Sequence, residues 1–435
     1  MLTEEMQERL IQSLLDRVEQ LNVELLIEIG EQIKYIGTLA PSDVHKLSQI
    51  ILYGENVNWI ARRLSEITNL NVRDIYKILK KTAIENQEFA RQFYKARGID
   101  FIPYEKNELL QKQVNAIAKI TANKYKNIMN STAYVLDDKL VPIQKIYTEV
   151  VDKAILSVSQ GKESYQMAMR KSMNELVQKG MRIRVDKNGN PTGTRVVDYK
   201  SGLSRRADTA IRMNMLEGIR TTSDELQKQF GEEFGANMIE VSHHQNSAPD
   251  HIDTVDGKQF ARIDVIREQI ASGEEKEIKL SDISGDRVKV KGKWYKDFDS
   301  VNEKLERPVS TLNCRHYIFT GILGVSQPLY TKEQLEKDKE NNLKGFEYNG
   351  KHYTLYEGTQ LQRQIETKVR ELKDRQIMYK SMGDIEEVGN CQRRITELTH
   401  KYNDLNKASG LKSKFARMNV NGYRKMKVSW GDLWK

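Results

Sequence analysis

The sequence predicts a mainly α protein with a smaller central α+β domain, a helical N-terminal region and a C-terminal helical hairpin. Three observations predict it. Apolar residues recur at helical spacing over the first 180 residues, short β-type runs separated by turn residues begin at Met181, and two long charged helical segments follow residue 358. Composition agrees. With 38% hydrophobic and 30% charged residues, the chain suits long exposed helices better than one large spherical core, and only seven prolines interrupt 435 residues.

The first segment places Met6, Leu10, Leu14, Val18 and Leu21 at helical intervals, with Ile11, Leu15 and Leu25 widening the stripe. Thr3, followed by acidic residues, is an N-cap signal, and Gly37 closes the helix. Pro41-Ser42-Asp43 opens a second helix carrying Val44, Leu47, Ile50 and Ile51. Residues 58–68 read as a third helix and 71–97 as a fourth, joined at Asn69-Leu70-Asn71. Residues 105–130 form another, with Leu109, Leu110, Val114, Ile117 and Ile120 on its buried stripe. Pro142 opens a helix to about residue 161, and a further one runs over 164–180.

After Met181 the period changes. Residues 182–185 and 194–197 flank a turn-rich stretch containing Asn188-Gly189 and predict a β-hairpin. Ser201-Gly202 leads into an amphipathic helix to about residue 230. Strands are expected at 236–241, 287–290, 294–295 and 315–320. Residues 330–358 are polar, with a small hairpin at 346–353 around Asn349-Gly350. Helices over 359–380 and 385–405, broken at Gly383, form an αα-hairpin. The expected organisation is therefore a helical region at 1–180, an α+β domain at 181–330, a hairpin linker with the αα-hairpin at 331–405, and a basic tail at 406–435.

No apolar run approaches the ~20 residues of a membrane span, and the acidic, amphipathic start is not a secretory signal. No membrane association is expected. Two cysteines far apart in sequence make no disulfide framework, which fits folding in a reducing cytoplasm. Of the net charge of +9, residues 401–435 carry nine Lys/Arg against two Asp/Glu, leaving the remainder nearly neutral. The tail thus dominates long-range attraction to a polyanion. Within it, Lys412, Lys414, Arg417, Arg424, Lys425 and Lys427 alternate with Phe415, Tyr423, Trp430 and Trp434. Cations interleaved with aromatics suit phosphate contact with stacking, which makes these six the DNA-contact candidates; a solvated face with docked aromatics is the equal alternative. Residues 58–80 have the outline of a helix-turn-helix, but Arg73-Asp74-Ile75-Tyr76-Lys77 offers few base-reading side chains, so plain helix packing is expected.

Four of the seven histidines and one of the two cysteines fall in two short motifs. The first runs from Val241-Ser242-His243-His244 through Ala248-Pro249-Asp250-His251 to Asp256-Gly257-Lys258-Gln259-Phe260; the second is Asn313-Cys314-Arg315-His316. Such clustering marks a metal site, a catalytic site or a polar network. His244, His251, Cys314 and His316 have zinc-ligand chemistry, but no CxxC or HExxH spacing accompanies them. A Cys314–His pair could serve a nucleophile, and the His and Asn residues suggest a metal-dependent nuclease, but a strand rather than the required helix follows His316. The expectation is a polar network of His244, Asp250, His251, Asn313, Cys314, Arg315 and His316, with the two motifs meeting in space and with no catalytic residue, metal or other cofactor. Asp256-Gly257 reads as plain turn chemistry.

These residues carry a family resemblance. Thr194-Arg195-Val196-Val197-Asp198-Tyr199-Lys200-Ser201-Gly202, then Arg205-Arg206-Ala207-Asp208-Thr209-Ala210-Ile211-Arg212, resembles the central signature of minor capsid protein 2 of tailed phages. Ser242-His243-His244, Ala248-Pro249-Asp250-His251, Gly257-Lys258-Gln259-Phe260, Asn313-Cys314-Arg315-His316 and Tyr356-Glu357-Gly358-Thr359-Gln360-Leu361-Gln362-Arg363 follow in the family's order. The chain departs from the pattern at Asn246-Ser247 and at Asp250. The likeness spans about 182–405 and extends more remotely to head-morphogenesis proteins of the Mu F type. It implies a structural minor head protein, assembled in the host cytoplasm and resident in the virion at the portal vertex or capsid interior. Its implied partners are the portal protein, the major capsid protein or both, with packaged double-stranded DNA reached through the basic tail. A metal-dependent nuclease or hydrolase using the His/Cys cluster, and a cytoplasmic nucleic-acid-binding protein, are the competing readings.

Overall fold

The computed structural model describes residues 4–36, 56–97, 100–136, 139–143, 182–184, 204–311 and 314–425, with scattered positions between 145 and 177. In chain order these form α1 (Glu4–Ile36), α2 (Asn56–Arg97), α3 (Glu108–Asn130), β1 (Ala133–Leu136), β2 (Lys139–Pro142), β3 (Arg182–Arg184), β4 (Ser204–Arg206), α4 (Ala207–Glu233), β5 (Met238–Val241), α5 (Pro249–Ile252), β6 (Gln259–Ala261), α6 (Ile263–Ser272), β7 (Ile283–Ser284), β8 (Arg287–Val290), β9 (Lys293–Lys296), α7 (Phe298–Glu303), β10 (Ile318–Gly321), α8 (Lys332–Lys344), β11 (Phe346–Tyr348), β12 (Lys351–Tyr353), α9 (Leu355–Met382) and α10 (Ile385–Ser409). The fold is mainly α with a smaller α+β part. No described helix is long and apolar enough to cross a membrane. The expected helix at 41–51, the strand at 194–197 and most of the expected helices at 142–161 and 164–180 lie outside the described residues.

The chain forms two compact units. One comprises residues 1–10, 75–121 and 215–359; the other comprises 11–74, 122–214 and 360–435. In the second unit, α1 buries Ile11, Leu14, Val18, Leu21, Leu25 and Ile29, a stripe at helical spacing. Each fully buried side chain of this size contributes roughly 1.5–3 kcal/mol. Polar bonds fix its neighbours: Tyr134 of β1 donates to Asn22 Oδ1 at 2.6 Å, and Arg63 pairs with Glu24 at 2.9 Å. β1 lies between β2 and β3 in an antiparallel sheet of order β2-β1-β3-β4. This sheet corrects two expectations. Region 1–180 is not helical throughout, and β3 pairs with the polar strand Ser204–Arg206. The joint expected at Asn69-Leu70-Asn71 is also absent, since α2 runs unbroken from 56 to 97. Asn71 is fully buried and makes tertiary bonds with Arg17, the Leu14 carbonyl and Tyr125. Its side chain therefore does not compete for the local backbone, which is how Asn usually ends a helix.

The first unit carries the α+β part. Its central sheet has order β10-β5-β6, antiparallel throughout, with Ile318 opposite Val241 and Ile239 opposite Phe260. All four β5 residues are buried, and strand alternation sends them to two cores. Met238 joins Ala261, Ile266, Val288, Tyr295 and Leu323; Ile239 and Val241 join Val255, Phe260, Phe298, Val309 and Ile318. Strand β6, helices α6 and α7, and α8 were not foreseen. For α8 the start and stop signals are present: Thr331 accepts from the Gln334 amide, and Gly345 ends the helix at φ 51°. Its sequence holds only two leucines, so no apolar stripe announces it. The hairpin β11–β12 forms around Asn349-Gly350, both at positive φ as the tight turn requires.

Candidate functional site

The two motifs meet at one end of the central sheet. β5 ends at Val241, and Ser242 continues the pairing: its amide donates to the Tyr317 carbonyl at 2.8 Å, and the Tyr317 amide donates to Ser242 Oγ at 2.9 Å. His243 and His244 follow directly, while Pro249 opens the single turn α5, which presents His251 inward. On the opposing side, the Cys314 amide closes a turn onto the Thr311 carbonyl at 2.7 Å, and Ser310, at φ 68°, precedes it. The chain then enters β10 through His316 and Tyr317.

Asp256 organises the cluster. Its Oδ1 accepts from the His244 amide at 2.9 Å, from Ser247 Oγ at 2.7 Å and from His316 Nε2 at 2.8 Å; its Oδ2 faces His243 Nδ1 at 2.6 Å. Burial opposes the charged form, but the hydrogen bonds from His243, His316, Ser247 and the His244 amide outweigh it and hold the carboxyl far below its usual range. His243 Nε2 also reaches Asp338 Oδ2 on α8 at 2.9 Å. Burial works against an imidazolium there, and the two carboxylates overcome it, so the His243 pKa is raised. Gly257 follows at φ 67°, a left-handed conformation that strains any side chain, and a Cβ there would also have to displace the Leu335 side chain, 2.4 Å away at Cδ2.

Beyond Asp256 lies a sulfur–nitrogen triangle. Cys314 Sγ stands 3.3 Å from His316 Nδ1 and 3.6 Å from His251 Nδ1, and the two ring nitrogens are 3.1 Å apart. All three residues are buried. The far nitrogens are anchored: His251 Nε2 lies 2.7 Å from the Arg307 carbonyl, and His316 Nε2 lies on the Asp256 carboxylate. The His316 amide points at Cys314 Sγ from 3.4 Å. Burial disfavours charge on Cys314 and on His316, but the contacts from His251 and His316 draw the thiol down, and those from Asp256 and Cys314 draw the His316 imidazole up. Asp224 on α4 sits nearby with Oδ1 buried and unpartnered; burial pushes its carboxyl up to about 7.

The remaining expected members have distinct places. His244 Nε2 donates to the Arg315 carbonyl at 2.7 Å, and burial holds its pKa down to about 4. Arg315 contributes this carbonyl to the network. Asp250 is half-buried and forms a two-point ion pair with Arg307, 3.6 Å from His251 Nε2. Asn313 lies outside the described residues. Asp256 is not the plain turn residue expected but the hub of the network, and His243, noted only as part of the first motif, bridges two carboxylates. Asp338, Arg307 and Asp224 carry no signal in the sequence, whereas Asp256 stands within the first motif, five residues after His251.

The basic segment lies in the other unit. Lys412, Arg424 and Lys425 are exposed, Lys414 and Arg417 are half-buried, and Lys427 is outside the described residues. This segment is docked on the αα-hairpin. The Lys414 amide donates to Tyr402 Oη at 2.8 Å, Phe415 lies 5.6 Å from the Tyr402 ring, and Tyr423 donates to Gln392 at 3.0 Å. Met418 and Val420 are buried. Tyr423 thus rests on the protein itself, whereas Phe415 lies against Tyr402 with 48% of its surface still exposed.

Fold and site together define a mainly helical protein whose rare residues are spent on joining two turns inside a small α+β unit. Comparison with protein families then places it: the model described as Phage minor capsid protein 2 matches residues 2–406, and the chain belongs to that family. It is a structural protein of a phage capsid, and the virion is where such a protein resides. No match was found among curated proteins or among solved structures.

Proposed function

We propose that this chain is a minor head protein acting at the portal vertex or capsid interior, where it takes part in head assembly and in packaging or retaining DNA. The observation that carries the reading is the family match over 2–406, and the exposed cations of the C-terminal segment supply the DNA-facing chemistry. Lys412, Arg424 and Lys425 protrude from a segment fixed by Tyr402, Gln392 and buried Met418. Because the backbone that bears these cations is already fixed, only their side chains lose freedom on meeting phosphate. The portal protein, the major capsid protein or both would be the protein partners, and double-stranded DNA the nucleic-acid partner.

Quantitative mass spectrometry of purified virions, before and after DNA ejection, tests this. The expected result is a low, constant copy number in full particles, with cross-links to portal or major capsid protein. Absence from purified virions, or cross-links confined to tail proteins, overturns it.

A further inference from the structure

We propose that His251, Cys314 and His316 bind a zinc-class divalent cation through Nδ1, Sγ and Nδ1. The inference goes beyond the capsid role and does not depend on it. Three features of the site carry it.

The first is the shape of the triangle. A tetrahedral ion with Zn–S of about 2.3 Å and Zn–N of about 2.0–2.1 Å spans S···N edges of about 3.6 Å and N···N edges of about 3.3 Å. The sulfur–nitrogen separations are 3.6 and 3.3 Å and the nitrogen–nitrogen separation is 3.1 Å. The three donor atoms therefore already stand close to the corners that one ion would hold.

The second is the state of the two rings. The Arg307 carbonyl can only accept, so His251 Nε2 carries a proton and, in the neutral ring, Nδ1 is a lone pair. His316 Nε2 donates to the Asp256 carboxylate, which gives the same tautomer. Two lone pairs facing each other across 3.1 Å need a cation between them, either a proton or a metal. A carbonyl and a carboxylate behind the two imidazoles are the supports that orient metal-bound histidines. The His316 amide directed at Cys314 Sγ favours a thiolate in the same way.

The third is chemical type and burial. Two imidazoles and a thiolate form a borderline-soft set that selects zinc over magnesium or calcium. Cys314 is 3% exposed, His316 3% and His251 1%, so an ion there would be largely shielded from bulk water. It would tie α5 to the entry into β10, joining the two motifs. The fourth position is left to water or another small donor.

The test uses the full-length chain, purified without metal-chelating resin. Elemental analysis is expected to find about one equivalent of zinc. Chelation should lower the melting temperature by roughly 5 °C or more, with recovery on adding Zn²⁺ alone. Co²⁺ added to the chelated wild type should give the near-ultraviolet thiolate-to-cobalt charge-transfer band and intense tetrahedral ligand-field bands, saturating at one equivalent. Cys314→Ser should abolish the charge-transfer band, while His352→Ala, an exposed histidine, should not change it. The proposal fails if wild type as purified lacks stoichiometric metal and its apo form gives no charge-transfer band with excess Co²⁺. It fails equally if Cys314→Ser retains the ion and the band. The cobalt titration of wild type stands even if that variant does not fold.

Discussion

Asp256 accepts from one backbone amide, one hydroxyl and two imidazoles, so a single carboxylate fixes the conformation of both histidine turns. Around it, neighbouring histidines titrate in opposite senses. His244, with burial as the main cause, is lowered to about 4; the charge of the His316 ring adds to the effect, while the hydrogen bond to the Arg315 carbonyl and the Asp256 carboxylate oppose it. Its unfolded value is about 6.5. Between pH ~6.5 and ~4 the unfolded chain binds a proton at this position that the folded chain refuses, so stability falls as pH falls through that window. His243 is raised, so its contribution is complete below about 6.5 and is lost as pH rises through its higher folded value. We expect His244→Gln, which keeps a donor for the Arg315 carbonyl, to remove on the order of 2–3 kcal/mol of the stability lost between pH 6.5 and 4.5. Urea unfolding of wild type and variant across this range reads it. Equal pH slopes in the two proteins would show that His244 is not the titrating group. The histidines and Cys314 were legible in the sequence because they are rare. Asp256 and Asp338 were not, because 61 acidic residues give a carboxylate no contrast.

Among the elements, the long amphipathic helices were readable wherever one stripe faces a core, as in α1, α9 and α10. Elements set by tertiary contact were not. β4 reads Ser-Arg-Arg and is a strand because β3 lies beside it, and α8 is a polar helix bounded by Thr331 and Gly345. Asn71 shows the same effect in reverse: a residue type that normally breaks helices sits inside α2 because Tyr125, Arg17 and the Leu14 carbonyl hold its amide. Replacing it by Ala removes Tyr125's partner in the interior while improving local helix propensity by about 0.5 kcal/mol. The tertiary loss should win, with a net destabilisation of about 1–3 kcal/mol by chemical denaturation. A stabilised Asn71→Ala protein would mean that the residue marks an unfulfilled break and contributes nothing to packing.

At the scale of the whole molecule the charge is unevenly placed, with nine Lys/Arg against two Asp/Glu in residues 401–435. Sequence alone left two readings of that region, an arm that contacts DNA or a solvated face with docked aromatics. The structure makes them compatible. The backbone of 411–425 and Tyr423 are docked on α9 and α10, where Lys373 Nζ bonds the Met418 carbonyl at 2.6 Å and lies 4.6 Å from the Tyr423 ring, while Lys412, Arg424, Lys425 and much of Phe415 remain exposed. Truncation after residue 408 would therefore strip buried Met418 and Val420 along with the charge, and loss of binding would not separate charge from fold. Neutralising Lys412, Arg424 and Lys425 together to Gln avoids this. Because the three side chains are exposed, the melting temperature should stay within about 1–2 °C. If each cation neutralises one phosphate, affinity for random-sequence duplex should fall and the slope of log K against log salt should flatten by roughly 2–3. An unchanged slope would remove these residues from the DNA contact. If DNA binding persists and association with portal protein is lost, the segment is a protein-docking surface whose positive charge meets an acidic partner.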